Sequence, residues 1–246
     1  MMRPIKSKTT RKIAAEWDAL AETRFDQIRS GLDQSFDYIL TPAVLQEVKN
    51  ATSHSLLDVG CGSGTLSSAL AARVRSLVGI DPSRVSIDLA QRYNRAQNAT
   101  YFQASVEEWA DQNSQQYDLL VANMVLMDVA DLSAALVAMS KLCKADGTIH
   151  ATITHPFFWP KYWGYDSAPW FNYMAETHIE APFRIAAAKT DLWTTHTHRP
   201  LEQYLSSLSA VGFRAVRIKE LVDPRSCVAA PAVTYPRFML ISASRA

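Results

Sequence analysis

The chain has 246 residues, of which 48% are hydrophobic and 20% charged, a composition typical of one large soluble α/β domain or two small ones. Its 25 basic and 24 acidic side chains leave a formal charge of +1, so there is no overall field that would gather nucleic acid or an anionic membrane. The longest apolar stretch, YDLLVANMVLMDVADL, is interrupted by acids, which argues against a membrane-spanning helix.

The cysteines and the first residues bear on location. Cys61, Cys143 and Cys227 are widely spaced and odd in number, which argues against a disulfide framework and predicts a reducing cytoplasm. The basic opening segment RPIKSKTTRK lacks the apolar run and the small-residue cleavage site of a secretory signal. We therefore expect no targeting segment, and we interpret this opening as a frayed, solvated terminus.

Two helices are predicted in the first fifty residues. In KIAAEWDALAETRFDQIRSGL the apolar side chains recur at helical spacing, which predicts an amphipathic helix. These residues are Ile13, Trp17, Leu20, Ala21, Phe25 and Ile28. A second helix is predicted to open with Thr41 as N-cap and Pro42 at the first helical position, and to run through Val48.

Five short apolar runs follow, in the order SLLDV, SLVGID, TYFQ, YDLLVAN and GTIHATITH. Each is separated from the next by a helical or loop segment, a pattern typical of buried parallel strands in βαβ units. Later, RPLEQYLSSLSAVGF predicts a helix closed by Gly212, and RAVRIKEL and RFMLISAS predict a terminal hairpin added to the sheet. The expected fold is therefore α/β with an open, mostly parallel sheet.

A glycine-rich loop, LLDVGCGSGTL, follows the first of these runs. Gly60, Gly62 and Gly64 alternate after Asp58, a spacing that matches neither the G-x-G-x-x-G of dinucleotide binders nor a G-K-[ST] phosphate loop. The next run ends in Asp81, about 20 residues past the first glycine, a place from which a carboxylate accepts hydrogen bonds from ribose hydroxyls. A ribose-containing ligand is therefore expected beyond the carboxyl ends of the strands.

Taken together, these motifs resemble the class I S-adenosylmethionine-dependent methyltransferases, in particular the small-molecule type 11 branch. The resemblance covers residues 41–150 and the final strands in outline, and LLDVGCGSGTL matches the family signature D-x-G-x-G-x-G. It implies a Rossmann-like fold with a mostly parallel seven-stranded sheet, a terminal antiparallel hairpin, N-terminal helices and an aromatic lid inserted after the fifth strand. S-adenosylmethionine is the implied cofactor, with S-adenosylhomocysteine as product.

We expect a single methyltransferase domain over residues 1–246. Within it, the N-terminal tail and cap helices would occupy 1–50 and the cofactor-binding core 51–154. The substrate lid would occupy 155–200, and the last helix and terminal strands 201–246.

The resemblance also implies a set of cofactor-binding residues. The loop backbone from Gly60 to Gly62 would contact the methionine portion, Asp81 would bind both ribose hydroxyls, and Pro82 and Ser83 would shape that wall. Across the whole site the implied residues are Asp58, Gly60, Cys61, Gly62, Gly64, Asp81, Pro82, Ser83, Ser105, Val106, Asn123 and Met124.

At the adenine end the sequence departs from the family pattern. Ser105 stands where the family usually has an acid that reaches the adenine amino group, although a serine can still accept a hydrogen bond. The backbone of Val106 would reach a ring nitrogen. Asn123 and Met124, after YDLLVA, would face the methionine end.

Aromatic residues and prolines crowd the segment THPFFWPKYWGYDSAPWFNYMAETHIEAPF. This density predicts a lid over an apolar, flat substrate, although the rings could instead pack on one another or on a partner subunit. In DLWTTHTHRPL, strand alternation places His196 and His198 on one face. The expected substrate contacts are Trp159, Tyr162, Trp163, Tyr165, Trp170, Tyr173 and His196.

Two histidines are candidates for a general base. His155 is the first choice, because it follows the fifth predicted strand beside the expected position of the methyl group, and His198 is the second. A lone histidine is more often structural than catalytic. A metal shared by His196 and His198 would need more ligands than the segment offers, so no metal is expected.

The predicted activity is methyl transfer to an oxygen or nitrogen of a small, planar or apolar metabolite, as in secondary metabolism. NMVL stands where nucleobase- and glutamine-methylating families carry N-P-P-Y, so a small-molecule partner is favoured over nucleic acid. Two alternatives stay open: a cofactor-binding protein of the same fold without transfer activity, and a nucleic-acid or protein methyltransferase. The oligomeric state is left open.

Overall fold

The computed structural model describes residues 2–225 and 235–246. In these ranges the strands are β1 (Arg3–Ile5), β2 (Ser55–Val59), β3 (Ser76–Asp81), β4 (Ala99–Gln103), β5 (Tyr117–Asn123), β6 (Cys143–Thr154), β7 (Thr177–Ile185), β8 (Ala188–His198), β9 (Phe213–Leu221) and β10 (Phe238–Arg245). The α-helices are α1 (Thr10–Arg29), α2 (Thr41–Glu47), α3 (Thr65–Ala71), α4 (Arg84–Tyr93), α5 (Val106–Gln112), α6 (Leu132–Leu142), α7 (Phe158–Trp163) and α8 (Leu201–Ala210).

The main sheet has seven strands in the order β4-β3-β2-β5-β6-β10-β9. Strands β2 to β6 pair in parallel, and β10 runs antiparallel to both β6 and β9. The predicted Rossmann-like α/β fold and the terminal hairpin are therefore confirmed. Because the chain moves outward from β2 in one direction and from β5 in the other, the connections that follow these two strands leave a crevice beyond their carboxyl ends.

Helices cover both faces of this sheet, which explains why the central strands are continuous apolar runs. On one face Leu120 and Ile149 pack against Leu136 of α6 and Leu208 of α8. On the other, Leu56 packs in a cluster with residues of α2 and α3, among them Val44 and Leu70. All five residues of β2 are buried, as expected for a parallel strand between two helical layers.

A second, three-stranded antiparallel sheet has the order β1-β7-β8. The hairpin β7–β8 and helix α7 lie in the segment between β6 and α8 for which an aromatic lid was predicted. The alternation that predicted a strand near His196 corresponds to β8. Strand β7 was not predicted, because the proline at 182 and the charged residues in its sequence obscure the alternation.

The interpretation of the N-terminus as frayed is wrong. Residues Arg3–Ile5 form β1, which pairs with the edge of β7. Arg3 donates to Glu180 at 2.7 Å, and Lys8 forms ion pairs with both Glu180 and Glu16. Two basic residues of the opening segment, Arg3 and Lys8, therefore pair with Glu180 far away in the sequence, a pairing that local patterns do not reveal.

The predicted start of the second helix is also wrong. A π-helical turn, Phe36–Leu40, runs directly into α2, so Thr41 lies inside a continuous helix and not at its cap. The capping oxygen belongs to Asp33, whose Oδ1 accepts from the backbone N–H groups of Ser35 and Phe36. The Thr41 hydroxyl is buried and has no hydrogen-bond partner in the described ranges.

No helix within residues 2–225 and 235–246 is long and apolar enough to cross a membrane. Cys61 and Cys143 are buried free thiols. Cys227 lies outside the described residues.

Candidate functional site

Two cavities adjoin beyond the carboxyl ends of β2 and β5. The first, the glycine-loop cavity, has a volume of about 230 Å³ and is lined by the loop after β2 and by Asp81. The second, the aromatic cavity, has a volume of about 190 Å³ and is lined largely by α7 and the β7–β8 hairpin. Five residues line both cavities: Trp17, Arg24, Leu40, Met124 and Asp128. A ligand in one cavity would therefore lie next to a ligand in the other.

The three loop glycines serve different purposes, although all have positive φ. A Cβ at Gly60 would meet Val125 at 2.5 Å, and one at Gly64 would meet Ala90 at 2.9 Å. Both positions therefore require glycine for close packing inside the protein. A Cβ at Gly62 would meet nothing within 4 Å. Gly62 lines the cavity, so its missing side chain leaves room for a ligand to approach the backbone.

Asp81 organises the same loop. Its Oδ2 accepts from the Gly62 N–H at 2.9 Å and its Oδ1 from the Ser83 N–H at 2.8 Å. A carboxylate offers about four lone pairs, so each oxygen can still accept a hydrogen bond from a ligand hydroxyl. Burial raises the pKa of Asp81 to about 6, against the lowering effect of these two backbone bonds.

Asp58 is a second buried carboxyl in the cavity wall. Its Oδ2 accepts from the Ser67 hydroxyl at 2.5 Å, and it is 1% exposed. Burial raises its pKa to about 7, opposed by the Ser67 hydrogen bond and reinforced by the charge of Asp81. Two carboxyls thus give this cavity a negative potential that would favour a cation.

The backbone N–H groups of Cys61 and Gly62 are hydrogen-bonded within the protein. The Cys61 N–H donates to the Ile80 carbonyl at 3.0 Å, and the Gly62 N–H donates to Asp81. The Cys61 carbonyl accepts from the Gly64 N–H at 3.0 Å, and the Gly62 carbonyl accepts from the Cys61 thiol at 3.7 Å. Each carbonyl oxygen has a second lone pair, which suits a ligand ammonium group. Burial raises the pKa of the Cys61 thiol well above its usual value, so that side chain stays uncharged.

The remaining predicted cofactor residues divide into those at the cavity and those behind it. Pro82, Val106 and Asn123 line the glycine-loop cavity. Ser83 is fully buried, with its hydroxyl donating to Asp18 at 2.7 Å. Gly64 is placed against α4, as its contact with Ala90 shows.

Ser105 lines the cavity, but its polar atoms are used locally. Its hydroxyl accepts from the Glu108 N–H, and its own N–H donates to the Glu108 carboxylate, which forms a capping box at the start of α5. Glu107, which the sequence analysis did not single out, lines the same wall. It is the acid nearest in sequence to the position where the family pattern expects one.

Met124 holds an unusual backbone conformation between the cavities. Its φ is +60°, in the left-handed region that costs a non-glycine residue about 1 kcal/mol or more. Its N–H donates to both the carbonyl and the hydroxyl of Thr152, each at 3.0 Å. The Thr152 hydroxyl also donates to Asn123 Oδ1 at 2.6 Å, which orients the Asn123 amide at the cavity wall.

Helix α1 forms the cover of the glycine-loop cavity. Four of the six apolar side chains in the predicted stripe line this cavity, whereas Leu20 and Phe25 are buried and do not line it. The lining residues from α1 are Thr10, Ile13, Trp17, Ala21, Arg24 and Ile28. Asp18 fastens the helix to α4 by accepting from Ser83 and from the Val85 N–H. Glu16 fastens it to β8 by accepting from the Thr195 N–H at 2.8 Å. Helical periodicity identified the stripe but not what it covers.

Helix α7 presents one face to the aromatic cavity. Trp159, Tyr162 and Trp163 lie at helical spacing and all line it, as do Tyr165 and His196. Of the predicted substrate residues, Trp170 and Tyr173 are not among those lining it in the described chain.

A separate cluster holds the other lid rings. Trp170 stacks on Tyr165 with ring centroids 5.7 Å apart, and Tyr173 packs on Phe157 and His198. The Tyr173 hydroxyl accepts from the Leu201 N–H at 3.2 Å. These rings pack on one another, which was the alternative interpretation of the aromatic segment.

His155 does not line either cavity as the described residues define them. Its Nδ1 accepts from the N–H groups of Phe157 and Phe158 at the start of α7, so Nε2 carries the proton and lies 3.2 Å from Glu220 Oε1. Burial lowers its pKa despite the nearby carboxylate. The structure therefore places the preferred candidate base in a helix-capping position.

His198 and His196 have different surroundings, although they lie on one strand face. His198 is 2% exposed and its Nε2 donates to the Tyr173 carbonyl at 2.9 Å. His196 lines the aromatic cavity, and its Nδ1 lies 3.7 Å from Asp128 Oδ1. Burial raises the pKa of Asp128, opposed chiefly by His196. Asp128 lines both cavities and was not among the predicted site residues.

Across residues 2–225 and 235–246, no group of three or more His, Cys, Asp or Glu side chains is arranged to hold a metal ion.

Comparison with known proteins identifies relatives of this chain in sequence and in fold. The family described as a methyltransferase domain matches residues 20–186, more than half of the chain. A ubiquinone biosynthesis O-methyltransferase of Vibrio atlanticus is 31% identical over 109 residues, which are 43% of this chain and 46% of the relative. The chain thus spans about half the length of the curated relatives it matches.

Solved structures with a similar fold are more distant in sequence. An S-adenosylmethionine dependent methyltransferase from Mesorhizobium loti has a TM-score of 0.60 at 18% identity, covering 83% of this chain and 96% of that one. A 1,6-didemethyltoxoflavin-N1-methyltransferase from Burkholderia thailandensis, with its substrate and S-adenosylhomocysteine bound, has a TM-score of 0.61 at 13% identity, covering 99% and 94%. These similarities show the fold.

Proposed function

The chain belongs to the methyltransferase-domain family of class I S-adenosylmethionine-dependent methyltransferases, and on that premise we propose that it methylates an oxygen or nitrogen of a small, planar or apolar metabolite. The observation that carries the proposal is the pair of adjoining cavities with Met124 and Asp128 in their common wall. In this proposal residues 1–246 act as one domain, with 51–154 as the cofactor core and 155–200 as the substrate lid.

The glycine-loop cavity suits S-adenosylmethionine because it offers hydrogen-bond acceptors and open space beside the loop backbone. Asp81 retains lone pairs for ribose hydroxyls, and the open space in front of Gly62 admits a ligand to the backbone. The carbonyls of the loop and the carboxyl of Asp58 suit a cationic methionine portion. When bound, the cofactor supplies a methyl group already made electrophilic by its sulfonium.

The protein's main task is therefore to align the acceptor, and alignment supplies several kcal/mol of a reaction barrier. Trp159 and Trp163 would confine a flat acceptor in the aromatic cavity, beside Met124. A hydroxyl or amine acceptor that begins protonated also benefits from a base. We assign this role to His196, whose Nε2 would take the proton while Asp128 on the Nδ1 side stabilises the imidazolium. His155 and His198, whose ring nitrogens bond within the protein, do not enter the proposal.

The named relatives support small-molecule chemistry of both kinds. The curated relatives include O-methyltransferases of ubiquinone biosynthesis, and one of the fold relatives is a 1,6-didemethyltoxoflavin-N1-methyltransferase.

Calorimetric titration with S-adenosylhomocysteine tests the cofactor half of the proposal. We expect binding that Asp81→Ala weakens by tenfold or more, about 1.4 kcal/mol. Asp88→Ala is the matched control, because this aspartate is on α4, is 63% exposed and lies 3.7 Å from Arg84. The control should bind like the unmodified protein. Absence of binding to the unmodified protein would refute the proposed function.

Release of S-adenosylhomocysteine from S-adenosylmethionine in the presence of phenols and aromatic amines tests the transfer half. Turnover with any of them, reduced by His196→Asn, supports the assignment. Cofactor binding without turnover on any acceptor would favour the binding-only alternative, and turnover only with bulk RNA or protein would favour a macromolecular substrate.

A further inference from the structure

The aromatic cavity has two chemically different ends. At the end shared with the glycine-loop cavity lie Met124, Asp128 and His196. The Trp159 ring lies next, 6.4 Å from the His196 ring. Tyr162 follows one helical turn along α7, with its ring centroid 5.9 Å from that of Trp159. The face of α7 therefore leads from the common wall toward a second set of residues.

Two arginines lie at this second end, each over an aromatic ring of α7. The Arg184 guanidinium carbon is 3.4 Å from the centroid of the Trp163 ring. The Arg237 guanidinium carbon is 4.8 Å from the Tyr162 ring, and this arginine donates to the Tyr162 hydroxyl at 2.9 Å and to Ser35 Oγ at 3.3 Å. The Tyr162 and Trp163 rings are 5.2 Å apart, so both cations flank one edge of the helix.

Neither cation forms an ion pair in the part of the chain that the structure describes, and the charge of Arg237 acts on Asp223 only at longer range. Within residues 2–225 and 235–246, no Asp or Glu lies within ion-pair distance of Arg184 or Arg237. The third arginine of this cavity, Arg24, pairs with Asp33 at 2.9 Å. Burial lowers the pKa of Arg184. Because partly buried charges are normally paired, the second end carries positive charge that an anionic ligand would neutralise.

Two further donors in the same wall have no partner. Trp163 Nε1 and the Tyr165 hydroxyl are buried, and neither forms a hydrogen bond within the described part of the chain. Tyr165 is only 4% exposed, and both residues line the aromatic cavity. Neither atom is accessible to a water-sized molecule, so a ligand in the cavity does not reach them, and the inference about its charge depends on the two arginines.

From these contacts we propose that the methyl acceptor is a planar aromatic carboxylic acid, with its carboxylate bound by Arg184 and Arg237 and its methyl-accepting group placed beside Asp128 and His196. This inference rests on the proposed function, since it names the substrate class of the same site. The guanidinium fork matches the geometry of a carboxylate and can bind it through two parallel hydrogen bonds. The aromatic walls between the two ends would enclose the flat body of the acceptor.

A pair of nearly isosteric probes tests the charge requirement. 6-Hydroxy-2-naphthoate carries a hydroxyl and a carboxylate at opposite ends, and 6-hydroxy-2-naphthamide replaces the carboxylate with a neutral amide. Each is titrated calorimetrically into the full chain, with and without saturating S-adenosylhomocysteine. We expect the naphthoate to bind at least about tenfold more tightly than the naphthamide, because charge-assisted hydrogen bonds are about twice as strong as neutral ones.

Substitutions of the two arginines then test whether they cause the tighter binding of the naphthoate. Arg184→Gln and Arg237→Gln should each lower the naphthoate-to-naphthamide affinity ratio by threefold or more, whereas Arg184→Lys, which keeps the charge, should retain part of it. Arg214→Gln is the matched control, because Arg214 lies on β9 and donates to the backbone carbonyls of Ser209 and Phe213. The melting temperature of each variant is measured in parallel, since arginines that only pack on rings would affect stability and not the ratio.

Several outcomes would overturn the inference: equal binding of the two probes, a ratio unchanged in both glutamine variants, or no binding of either probe by protein that binds S-adenosylhomocysteine. The proposed function fails separately, when S-adenosylhomocysteine itself does not bind. A naphthoate preference that depends on the arginines in protein without cofactor binding would leave the anion site standing alone.

Discussion

Binding of a cationic cofactor should release protons from the glycine-loop cavity. Burial raises the pKa of Asp58 to about 7 and that of Asp81 to about 6. At pH 7, roughly half of Asp58 and a tenth of Asp81 are therefore protonated in the free protein. S-adenosylmethionine would bring an ammonium and a sulfonium into this cavity, and a cation within about 4–6 Å lowers a carboxyl pKa by about 1–3 units.

The expected release follows from these populations. Ionisation of both carboxyls on binding liberates roughly 0.6 proton per protein molecule at pH 7, and this falls close to zero at pH 8.5. Calorimetric titration of S-adenosylmethionine in two buffers with different ionisation enthalpies measures it, because the observed heat changes linearly with the buffer enthalpy.

A single substitution distinguishes the contributions of the two carboxyls to this proton release. Asp58→Asn should reduce the release at pH 7 to about 0.1 proton, the share expected from Asp81. The exposed Asp88→Asn is the control and should leave the release unchanged. No dependence on the buffer in the unmodified protein, or full release from Asp58→Asn, would refute the reasoning.

The raised pKa of Asp58 also makes the free energy of unfolding depend on pH. Because the folded-state pKa of Asp58 lies above its usual value of 3.8, its contribution to stability is fully present below pH about 4 and is lost as the pH rises through about 7. Comparison of unfolding free energies for the unmodified protein and Asp58→Asn across this range measures that loss.

Three other predictions concern the loop, the histidines and the cover helix. Gly64→Ala should destabilise the protein by about 1–3 kcal/mol in urea unfolding, because its Cβ would overlap α4 at a positive φ, whereas Gly62→Ala should chiefly weaken S-adenosylhomocysteine binding in calorimetry. Among the histidines, His196→Asn should lower kcat by tenfold or more with little change in Tm, and His155→Asn should lower Tm with kcat maintained; the reverse pattern would restore His155 as the base. Glu16→Gln should speed hydrogen exchange in α1, because the ionised side chain joins this helix to β8, and unchanged exchange would show that α1 is held by its apolar face alone.

The central strands and the residues at their carboxyl ends could be predicted because they depend on local sequence patterns. The apolar runs that became β2, β3 and β5 are short and continuous, as strands between two helical layers must be. Once these runs are parallel, their carboxyl ends meet at one edge, so Asp58, Asp81 and Asn123 converge without any knowledge of side-chain packing. The spacing of the glycines could also be interpreted locally, because positive φ is a property of single residues.

Tertiary structure decided everything that depends on contacts between distant segments. Arg3 became part of a strand only because Glu180 lies on the edge it joins. The α1 stripe covers a cavity because Glu16 and Asp18 attach that helix to elements far along the chain.

Contacts between distant segments also determine which histidine is the better candidate base. On sequence alone His155 was the preferred base, but its ring is enclosed by the start of α7 and by Glu220. His196 stands opposite Asp128 because β8 folds back over the crevice. Local sequence determines which residues are at the ends of strands, whereas long-range packing determines which of them face an open cavity.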